Sequence, residues 1–254
     1  MSRRTPTTWP TRSRSSVAPA ESGQEPLPDV TVRPAVPADV GDLAAVHLRA
    51  RRAAPMPEPA HPDSTLAPFL ATRIGADQVW VAEAGERVVG YARHTASWLD
   101  DLYVDPSAAR RGVGTLLLDV VKDRLPDGFC LWVFESNTPA RAFYARHGLL
   151  ALERTDGSAN EERSPDIRMA WPGRDPVAFL RGLVDEVDAE LGDLLARRAA
   201  LTRAIQPLKT DPSRDPARER EVAERIARRV PELGTDRLAP VVDAIITASL
   251  DAAR

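Results

Sequence analysis

The chain has 254 residues, of which 43% are hydrophobic and 28% charged, and its formal net charge is -3. This length allows one or two globular domains, and the slight acidic balance does not favour a general affinity for nucleic acid. Cys130, the one cysteine, excludes an internal disulfide and is predicted to be a buried strand thiol, and the four histidines lack metal-ligand spacing. Without a membrane-length apolar run or an export signal, we expect a cytoplasmic protein with no membrane partner.

Residues 1–29 are rich in Ser, Thr, Pro and Arg and lack an apolar period. They are predicted to be a disordered, solvated tail rather than a basic docking arm. The segment over residues 30–35 alternates like a strand, and a helix over residues 37–52 follows. After a proline-rich loop, Asp63 or Ser64 is predicted to cap a second, shorter helix.

The next stretch predicts a β-hairpin from two β runs, QVWVAEA and RVVGYARH, that are separated by Gly85-Glu86. SWLDDLYV predicts a further antiparallel strand. Residues 99–121 then have the pattern of a strand, a glycine turn and a buried helix. Backbone N–H groups at such a turn can bind an anion, and Arg110 and Arg111 add positive charge. Gly112 and Gly114 are also typical of an ordinary helix start, so the residues alone leave both interpretations open.

Four further elements are predicted to complete this part of the chain. FCLWVFES has the composition of a buried strand, and the helix after it has Asn137 or Thr138 as its cap and Gly148 as its stop. Residues 149–154 and 167–171 suit two closing strands around a polar loop. The predicted order of elements is therefore β-α-α-β-β-β-α-β-α-β-β.

This order and two motifs, LYVDPSAARRGVG and ESNTPARAFYARHGL, resemble the GCN5-related N-acetyltransferase (GNAT) family over residues 30–172. The resemblance implies an α/β (α+β) fold and the transfer of an acetyl group from acetyl-CoA to an unidentified amine. Ala109 departs from the pattern, because the family usually has Gln or Arg at this position. Since the family binds the pyrophosphate largely through backbone groups, coenzyme binding is still implied.

By the same resemblance, the backbone N–H groups of residues 110–115 hold the pyrophosphate, and the strand end at residues 102–104 splays open to pair with the pantetheine arm. Asn137 would lie near the coenzyme. Tyr144 would protonate the departing thiolate, the alternative being a core aromatic paired with Phe143. The implied coenzyme site comprises Leu102, Tyr103, Val104, Arg110, Arg111, Gly112, Val113, Gly114, Thr115 and Asn137.

The general base for the amine is not identified by the sequence. Asp100, Asp101 and Glu83 lie on predicted strands, but each also suits an ordinary surface or paired carboxylate. His147 is predicted to be structural rather than catalytic. The base of the transferase is therefore left open.

The pattern changes in residues 175–254, which contain no strand signal. Apolar residues from Leu180 to Leu208 mark one helix of about 30 residues, ~45 Å long. Asp215-Pro216 begins a second helix that runs through Val230, and a third helix runs from about Thr235. Two short helices cannot cover the apolar surface of so long a helix, so we expect a symmetric dimer.

Two cationic residues, Arg198 and Lys209, are eleven residues apart. On one helix this spacing is almost three turns, which would place both side chains on one face about 16 Å apart, where they can converge on a small anion. Arg181 would lie ~25 Å from Arg198 along the axis and about 100° around it. Only an antiparallel partner chain would therefore bring Arg181 to the same site.

This part of the chain closely resembles the all-helical (AroQ-type) chorismate mutases in three segments, LRGLVDEVDAELGDLLARRAALTRAIQPLK, DPAREREV and IITASL. The resemblance implies that Arg198 and the partner's Arg181 bind the two carboxylates of chorismate, and that Lys209 hydrogen-bonds the ether oxygen. Glu219 would take the C4 hydroxyl. The implied pocket is completed by Asp215, Arg218 and Ser249. The rearrangement to prephenate is unimolecular and needs no cofactor, only a compact conformer and electrostatic stabilisation.

One position departs from the mutase pattern. Ala253 stands where the family has Gln or Glu, the second donor to the ether oxygen. Losing that donor would cost ~10²–10³ in rate, by comparison with oxyanion-hole deletions. The alternatives are a weak mutase, recruitment of Arg254, or a preference for aminodeoxychorismate or isochorismate. The loop from Lys209 to Asp215 is also shorter than in the enterobacterial pattern.

The sequence thus predicts a GNAT fold followed by an all-α, three-helix chorismate mutase domain that dimerises. The leading hypothesis is a bifunctional enzyme that acts on acetyl-CoA, an unidentified amine and a chorismate-like dianion, with no metal. One alternative is a single acetyltransferase whose helical domain only dimerises it or senses a chorismate-like ligand. Another is a mutase that acts on an amino analogue of chorismate.

Overall fold

The computed structural model describes residues 29–210 and 213–253, and the chain divides into two compact units after Phe179. The predicted tail over residues 1–29 lies outside the described residues, except for Asp29. In the described part of the chain, no helix is long and apolar enough to cross a membrane.

The first unit has its strands and α-helices in the predicted order. Its strands are β1 (Val30–Pro34), β2 (Gln78–Ala84), β3 (Arg87–His94), β4 (Leu99–Val104), β5 (Phe129–Phe134), β6 (Leu150–Thr155) and β7 (Asp166–Trp171). Its helices are α1 (Val40–Ala53), α2 (Leu66–Arg73), α3 (Val113–Arg124) and α4 (Thr138–Arg146). The strands form two antiparallel sheets, β1-β2-β3-β4 and β5-β7-β6.

Both faces of β2 and β3 are buried, which accounts for their nearly continuous apolar sequence. One face belongs to the same core as α3, through Leu117 and Leu118. The other face belongs to the core of α1 and α2, through Leu43 and Leu70. The predicted hairpin is confirmed, and it turns at Gly85, whose φ of 62° lies in the left-handed region that glycine adopts at no steric cost. The first unit is therefore layered, with helices on both faces of its larger sheet.

The predicted cap of the second helix is wrong, because neither Asp63 nor Ser64 caps it through its side chain. A 3-10 turn over Asp63–Thr65 leads into α2 instead. The N–H of Thr65 and its hydroxyl both donate to the Pro62 carbonyl, at 3.0 and 2.8 Å. Backbone groups of the preceding turn thus satisfy donors that the sequence pattern assigned to a side-chain cap.

β4 and β5 meet at one end and then part. Trp98 and Cys130 form a parallel bridge, and the Cys130 N–H donates to the Ser97 carbonyl at 2.9 Å. Beyond this bridge, within the described residues, β4 pairs with β3 and β5 pairs with β7. The predicted buried thiol of Cys130 is confirmed. The parting of the two strands opens a cleft beside residues 102–104.

The C-terminal part of the chain is helical, with α5 (Pro176–Ile205), α6 (Pro216–Ala227) and α7 (Gly234–Asp251). α5 has 30 residues, so the predicted long helix is confirmed. α6 ends at Ala227 rather than at Val230, because a residue that precedes a proline, here Pro231, is disfavoured in helical conformation. α6 and α7 pack through a small core that includes Ala223, Val242 and Ile246.

The predicted position of Lys209 on the long helix is wrong. α5 ends at Ile205, and residues 206–208 form a 3-10 turn. Pro207 accounts for this end, because its nitrogen has no hydrogen to donate and its ring interferes with the preceding helical turn. Lys209 follows in extended conformation, with ψ 133°. Arg198 and Lys209 therefore do not share one face of a single helix.

α5 has no buried residue among those described. Most of its large apolar side chains are instead exposed, with fractions between 37% for Leu195 and 60% for Leu194. We define the α5 seam as Val184, Val187, Leu191, Leu194, Arg198, Leu201 and Ile205. These residues alternate in steps of three and four, which is the spacing of a coiled-coil interface, and Arg198 is the one charged member.

Candidate functional sites

The turn between β4 and α3 has the geometry of an anion site. Arg110 and Gly112 both have positive φ, 62° and 83°, and Gly112 precedes the first residue of α3. The first helical hydrogen bond runs from the Leu116 N–H to the Gly112 carbonyl at 3.0 Å. The N–H groups of residues 113–115 therefore precede the hydrogen-bond ladder of α3. Left-handed residues before a helix start direct such N–H groups to one side, where a phosphate can bind.

Asp105 holds this turn in place. Its carboxylate accepts from the Ser107 N–H at 2.9 Å and from Nε of Arg49 on α1 at 2.8 Å. Burial acts to raise the pKa of Asp105, but these hydrogen bonds outweigh burial and hold the pKa below its usual range. Asp105 is thus a structural anion that fixes the entry to the turn.

A cavity of about 480 Å³, here called the cleft cavity, opens where β4 and β5 part. Four of the residues that the GNAT resemblance implied line it together, namely Leu102, Tyr103, Asn137 and Tyr144. Asn137 also caps α4, as predicted, because its Oδ1 accepts from the Ala140 N–H at 3.3 Å. The cleft cavity therefore joins the open side of β4 to the start of α4.

Tyr144 is buried, and its ring contacts Phe143 edge-on with centroids 5.3 Å apart. Tyr144 thus packs against Phe143, as the core interpretation predicts, and also lines the cleft cavity, as the catalytic interpretation requires. Burial raises the pKa of its phenol well above the usual value. The phenol is therefore protonated at neutral pH and has a proton to donate.

The three candidate carboxylates for the general base are in different environments. Glu83 pairs with Arg33, and Asp101 accepts from Nε of Arg93 at 2.6 Å. Asp100 lines the cleft cavity, and its Oδ2 lies 3.8 Å from Nη1 of Arg93, its ion-pair partner. Burial raises the pKa of Asp100. Asp100 is thus the one of the three carboxylates that combines access to the cavity with a raised proton affinity.

His147 bridges two helices, in line with its structural interpretation. Its Nδ1 lies 2.8 Å from the Phe143 carbonyl, and its Nε2 lies 3.1 Å from Oγ1 of Thr115 on α3. The Phe143 carbonyl can only accept, so Nδ1 donates and Nε2 accepts from the threonine. Both ring nitrogens are therefore occupied.

Sequence reasoning missed several polar residues of the cleft cavity that come from distant parts of the chain. Arg51 lies on α1, Asn160 and Glu162 lie in the loop between β6 and β7, and Asp166 begins β7. Nη2 of Arg51 donates to Glu162 at 2.9 Å, across 111 residues of sequence. No local motif could indicate these residues, because only the tertiary fold brings them together.

In the second unit, the structure brings together two of the residues that the mutase resemblance implied. Nη1 of Arg198 on α5 donates to Oγ of Ser249 on α7, and also to the Ile245 carbonyl at 3.3 Å. Ser249 is buried and donates its own proton to the Ile245 carbonyl at 2.7 Å. The guanidinium of Arg198 is therefore held at a defined place on the α5 seam.

Glu219, the predicted partner of the C4 hydroxyl, is occupied by Arg214. Nε and Nη2 of Arg214 donate to its two carboxylate oxygens at 2.6 and 2.8 Å. Arg214 also donates to Oγ1 of Thr247 at 3.1 Å and pairs with Asp243. Sequence reasoning missed Arg214, although it directly precedes the Asp-Pro cap of α6. Arg214 therefore occupies one hydrogen-bond position on each carboxylate oxygen of Glu219.

The other residues implied for the mutase pocket have different partners in the structure. Asp215 caps α6, since its Oδ1 accepts from the N–H groups of Ala217 and Arg218, both at 3.0 Å. The Arg218 guanidinium pairs with Glu221. Nζ of Lys209 lies 3.4 Å from the Ser213 carbonyl. In these contacts, none of the three side chains has Arg198 as its partner.

The mutase prediction also concerns Arg181 and the C-terminal residues Ala253 and Arg254. Arg181 is exposed on α5. Ala253 follows the end of α7, and Arg254, named as a possible substitute donor, lies outside the described residues. Because 17 residues of α5 separate Arg181 from Arg198, about 25 Å along the helix axis, Arg181 of the same chain does not reach Arg198.

Two family models match the chain. Residues 44–149 match the acetyltransferase (GNAT) family, and residues 180–254 match chorismate mutase type II. The chain thus carries a GNAT acetyltransferase domain and a type II chorismate mutase domain, and both predicted resemblances are confirmed.

Individual relatives match part of the chain. Peptidyl-lysine N-acetyltransferase YiaC from Escherichia coli (strain K12) is 31% identical over 96 residues, which are 37% of this chain and 64% of YiaC. The chain therefore spans slightly less than two thirds of that relative. The solution structure of apo-form YjaB from Escherichia coli is 22% identical, covers 57% of this chain and 98% of YjaB, and has a TM-score of 0.48. The PaiA N-acetyltransferase of Thermoplasma acidophilum in complex with coenzyme A is 17% identical, covers 56% of this chain and 98% of PaiA, and has a TM-score of 0.47.

Proposed function

We propose that the first unit transfers an acetyl group from acetyl-CoA to a primary amine. The observation that carries this proposal is the cleft cavity, which has Asp100 and Tyr144 in its walls where β4 and β5 part. The side of β4 that faces the cleft offers backbone groups for the pantetheine amides, and the start of α3 offers N–H groups for the pyrophosphate. The acceptor of YiaC, a peptidyl lysine, is also a primary amine.

The two side chains have complementary tasks in this reaction. Asp100 takes a proton from the acceptor amine, whose nitrogen then attacks the thioester carbon. As the carbon–sulfur bond breaks, Tyr144 gives its proton to the CoA sulfur. Isothermal titration of the full chain with acetyl-CoA tests the first requirement, and an absence of binding would remove the transferase proposal.

Replacing Tyr144 by phenylalanine should lower kcat of acetyl transfer about 10²-fold with little change in KM for acetyl-CoA, because it removes a proton donor and leaves the ring in place. Release of the CoA thiol measures the rate. Tyr91→Phe is the matched control, because Tyr91 is buried among α1 and α2 and its hydroxyl contacts His47. A Tyr144→Phe variant with the wild-type kcat would show that Tyr144 is only a core aromatic.

The pH profile tests Asp100. The base must be deprotonated to act, and burial raises the pKa of Asp100. We therefore expect kcat/KM to fall as the pH is lowered through that raised pKa, and Asp100→Asn to lose about 10²-fold in rate together with this acidic limb. Glu83→Gln, which alters a carboxylate paired with Arg33, should keep the profile. An unchanged acidic limb in Asp100→Asn would exclude Asp100 as the base.

For the second unit we propose the conversion of chorismate to prephenate in a homodimer. Arg198 carries the proposal, because its guanidinium is fixed by Ser249 at the α5 seam. The seam spacing supports a second copy of the chain as the missing cover for α5. In an antiparallel pair, the partner's Arg181 would approach Arg198, so that two guanidinium groups meet the two carboxylates of the substrate.

A second candidate function is a ligand-sensing or dimerisation role for the helical unit, and the bidentate hold of Arg214 on Glu219 favours it. A mutase that prefers an amino analogue of chorismate is a further candidate, because Ala253 cannot donate to the ether oxygen. Loss of chorismate absorbance with the purified full chain separates these proposals. Turnover supports the mutase, and binding without turnover supports the sensor.

A further inference from the structure

We propose that the amine acceptor of the first unit carries a second positive charge, as a short aliphatic diamine does, and that Asp166 binds this second charge. The inference rests on the proposed acetyl transfer and names the class of its acceptor. It also separates the two units chemically, because an acceptor of this class is not the dianionic ligand of the mutase unit.

The first argument is the charge of the cleft cavity. Its walls include the carboxylates of Asp100, Glu162 and Asp166 but one cationic side chain, Arg51, among the described residues. Nη2 of Arg51 forms an ion pair with Oε1 of Glu162 at 2.9 Å. Asp100 and Asp166 are thus left without a cationic partner in the described cavity wall.

Arg93, the cation near Asp100, is likewise paired with other carboxylates. Arg93 donates to Asp77 at 2.8 Å and to Asp101 at 2.6 Å, and Asp100 is the more distant third carboxylate at 3.8 Å. One guanidinium therefore faces three carboxylates. The net charge around Asp100 is negative, which favours a cationic ligand and opposes an anionic one.

Asp166 is the strongest single observation. It is 8% exposed, yet it lines the cleft cavity. Its two oxygens accept from neutral donors, the Thr155 hydroxyl and Nδ2 of Asn160, the latter at 2.9 Å. No ion pair within the described residues involves Asp166. Burying a carboxylate without a counter-ion is costly, so a ligand ammonium group would supply what the protein lacks.

The walls between the charges suit a chain of methylene groups. Trp132 and Phe134 on β5 and Met56 line the cleft cavity together with the carboxylates. Aromatic faces pack against methylenes and also attract ammonium groups. In the reaction, one amine of the diamine loses its proton to Asp100 and takes the acetyl group from sulfur, and the second ammonium stays on Asp166. The products are a monoacetylated diamine and CoA.

The experiment compares acceptors of equal length on the full chain by the rate of CoA-thiol release. We expect kcat/KM for 1,4-diaminobutane to exceed that for butylamine by about 10- to 100-fold, as one charge-assisted contact allows. Glutamate should be the poorest acceptor. Equal rates for diamine and monoamine, or a preference for glutamate or for a lysine-containing peptide, would overturn the inference and leave acetyl transfer standing. An absence of turnover with every amine would overturn both.

Asp166→Asn tests the residue. We expect its KM for 1,4-diaminobutane to rise about tenfold while its KM for butylamine stays unchanged, because only the diamine uses the second charge. Asp156→Asn is the matched control, since Asp156 lies in the loop that follows β6 and is not among the lining residues. An Asp166→Asn variant with the wild-type melting temperature and an unchanged KM for the diamine would overturn the assignment. The comparison of acceptors on the wild-type chain needs no variant.

Discussion

Arg198→Ala should lower kcat/KM for chorismate by at least about 10³-fold, a loss of about 4 kcal/mol of transition-state stabilisation. The reason is that Arg198 is the one charged member of the α5 seam, and its guanidinium is already oriented by Ser249 and the Ile245 carbonyl. A dianionic substrate that loses this partner loses both charge neutralisation and the contact that fixes its conformer. Loss of chorismate absorbance measures the effect.

Arg203→Ala is the matched control for this prediction. Arg203 lies on the same helix, and its Nη2 donates to the Ala252 carbonyl at 3.1 Å, outside the α5 seam. We expect Arg203→Ala to keep at least about half of the activity, since exposed polar contacts of this kind contribute little. Acetyl-CoA binding should be unchanged in both variants. Chorismate turnover that persists at the wild-type level in Arg198→Ala would exclude the mutase proposal.

Mixing two inactive variants should restore mutase activity to about a quarter of the wild-type value, if each site takes Arg198 from one chain and Arg181 from the other. Arg181→Ala and Arg198→Ala each remove one partner from every site of their homodimers. After random exchange of chains, about half of the dimers are mixed, and each mixed dimer has one intact site. Chorismate turnover before and after exchange measures the recovery.

The double variant Arg181→Ala/Arg198→Ala is the control, because mixing it with either single variant leaves no site with both arginines. Leu194→Glu should prevent recovery by placing a charge in the α5 seam, where Leu194 is 60% exposed in one chain. Sedimentation of this variant should show a monomer. Two outcomes would contradict the shared site. One is activity that recovers without exchange of chains, and the other is an absence of recovery after exchange between two well-folded dimers.

The order of elements was predictable because it depends on local periodicity. The near-continuous apolar runs of β2 and β3, the Asn137 cap and the 30 residues of α5 all carry their signal within a few turns of chain. Where the sequence interpretation placed the end of a helix wrongly, a nearby proline sets the observed end. Pro207 ends α5 and removes Lys209 from its face, and the residue before Pro231 ends α6 early.

The cleft cavity could be predicted only in part. Tyr144 and Asn137 lie within one motif, so resemblance indicated them together. Arg51, Glu162 and Asp166 come from α1, a loop and β7, and their meeting is a property of the tertiary fold. The pairing of Arg214 with Glu219 was missed for another reason. It depends on a choice among several nearby carboxylates that spacing alone does not decide.

In the proposed homodimer, the exposed apolar face of α5 links chorismate conversion to the abundance of the chain. By mass action, a site that needs two chains is half assembled when the protein concentration equals the dissociation constant of the dimer, whereas the cleft cavity is built from the first unit of one chain. Dilution should therefore silence chorismate conversion while acetyl transfer per chain stays constant. The ratio of the two rates, measured across a dilution series, would then be a readout of how much of the protein is present.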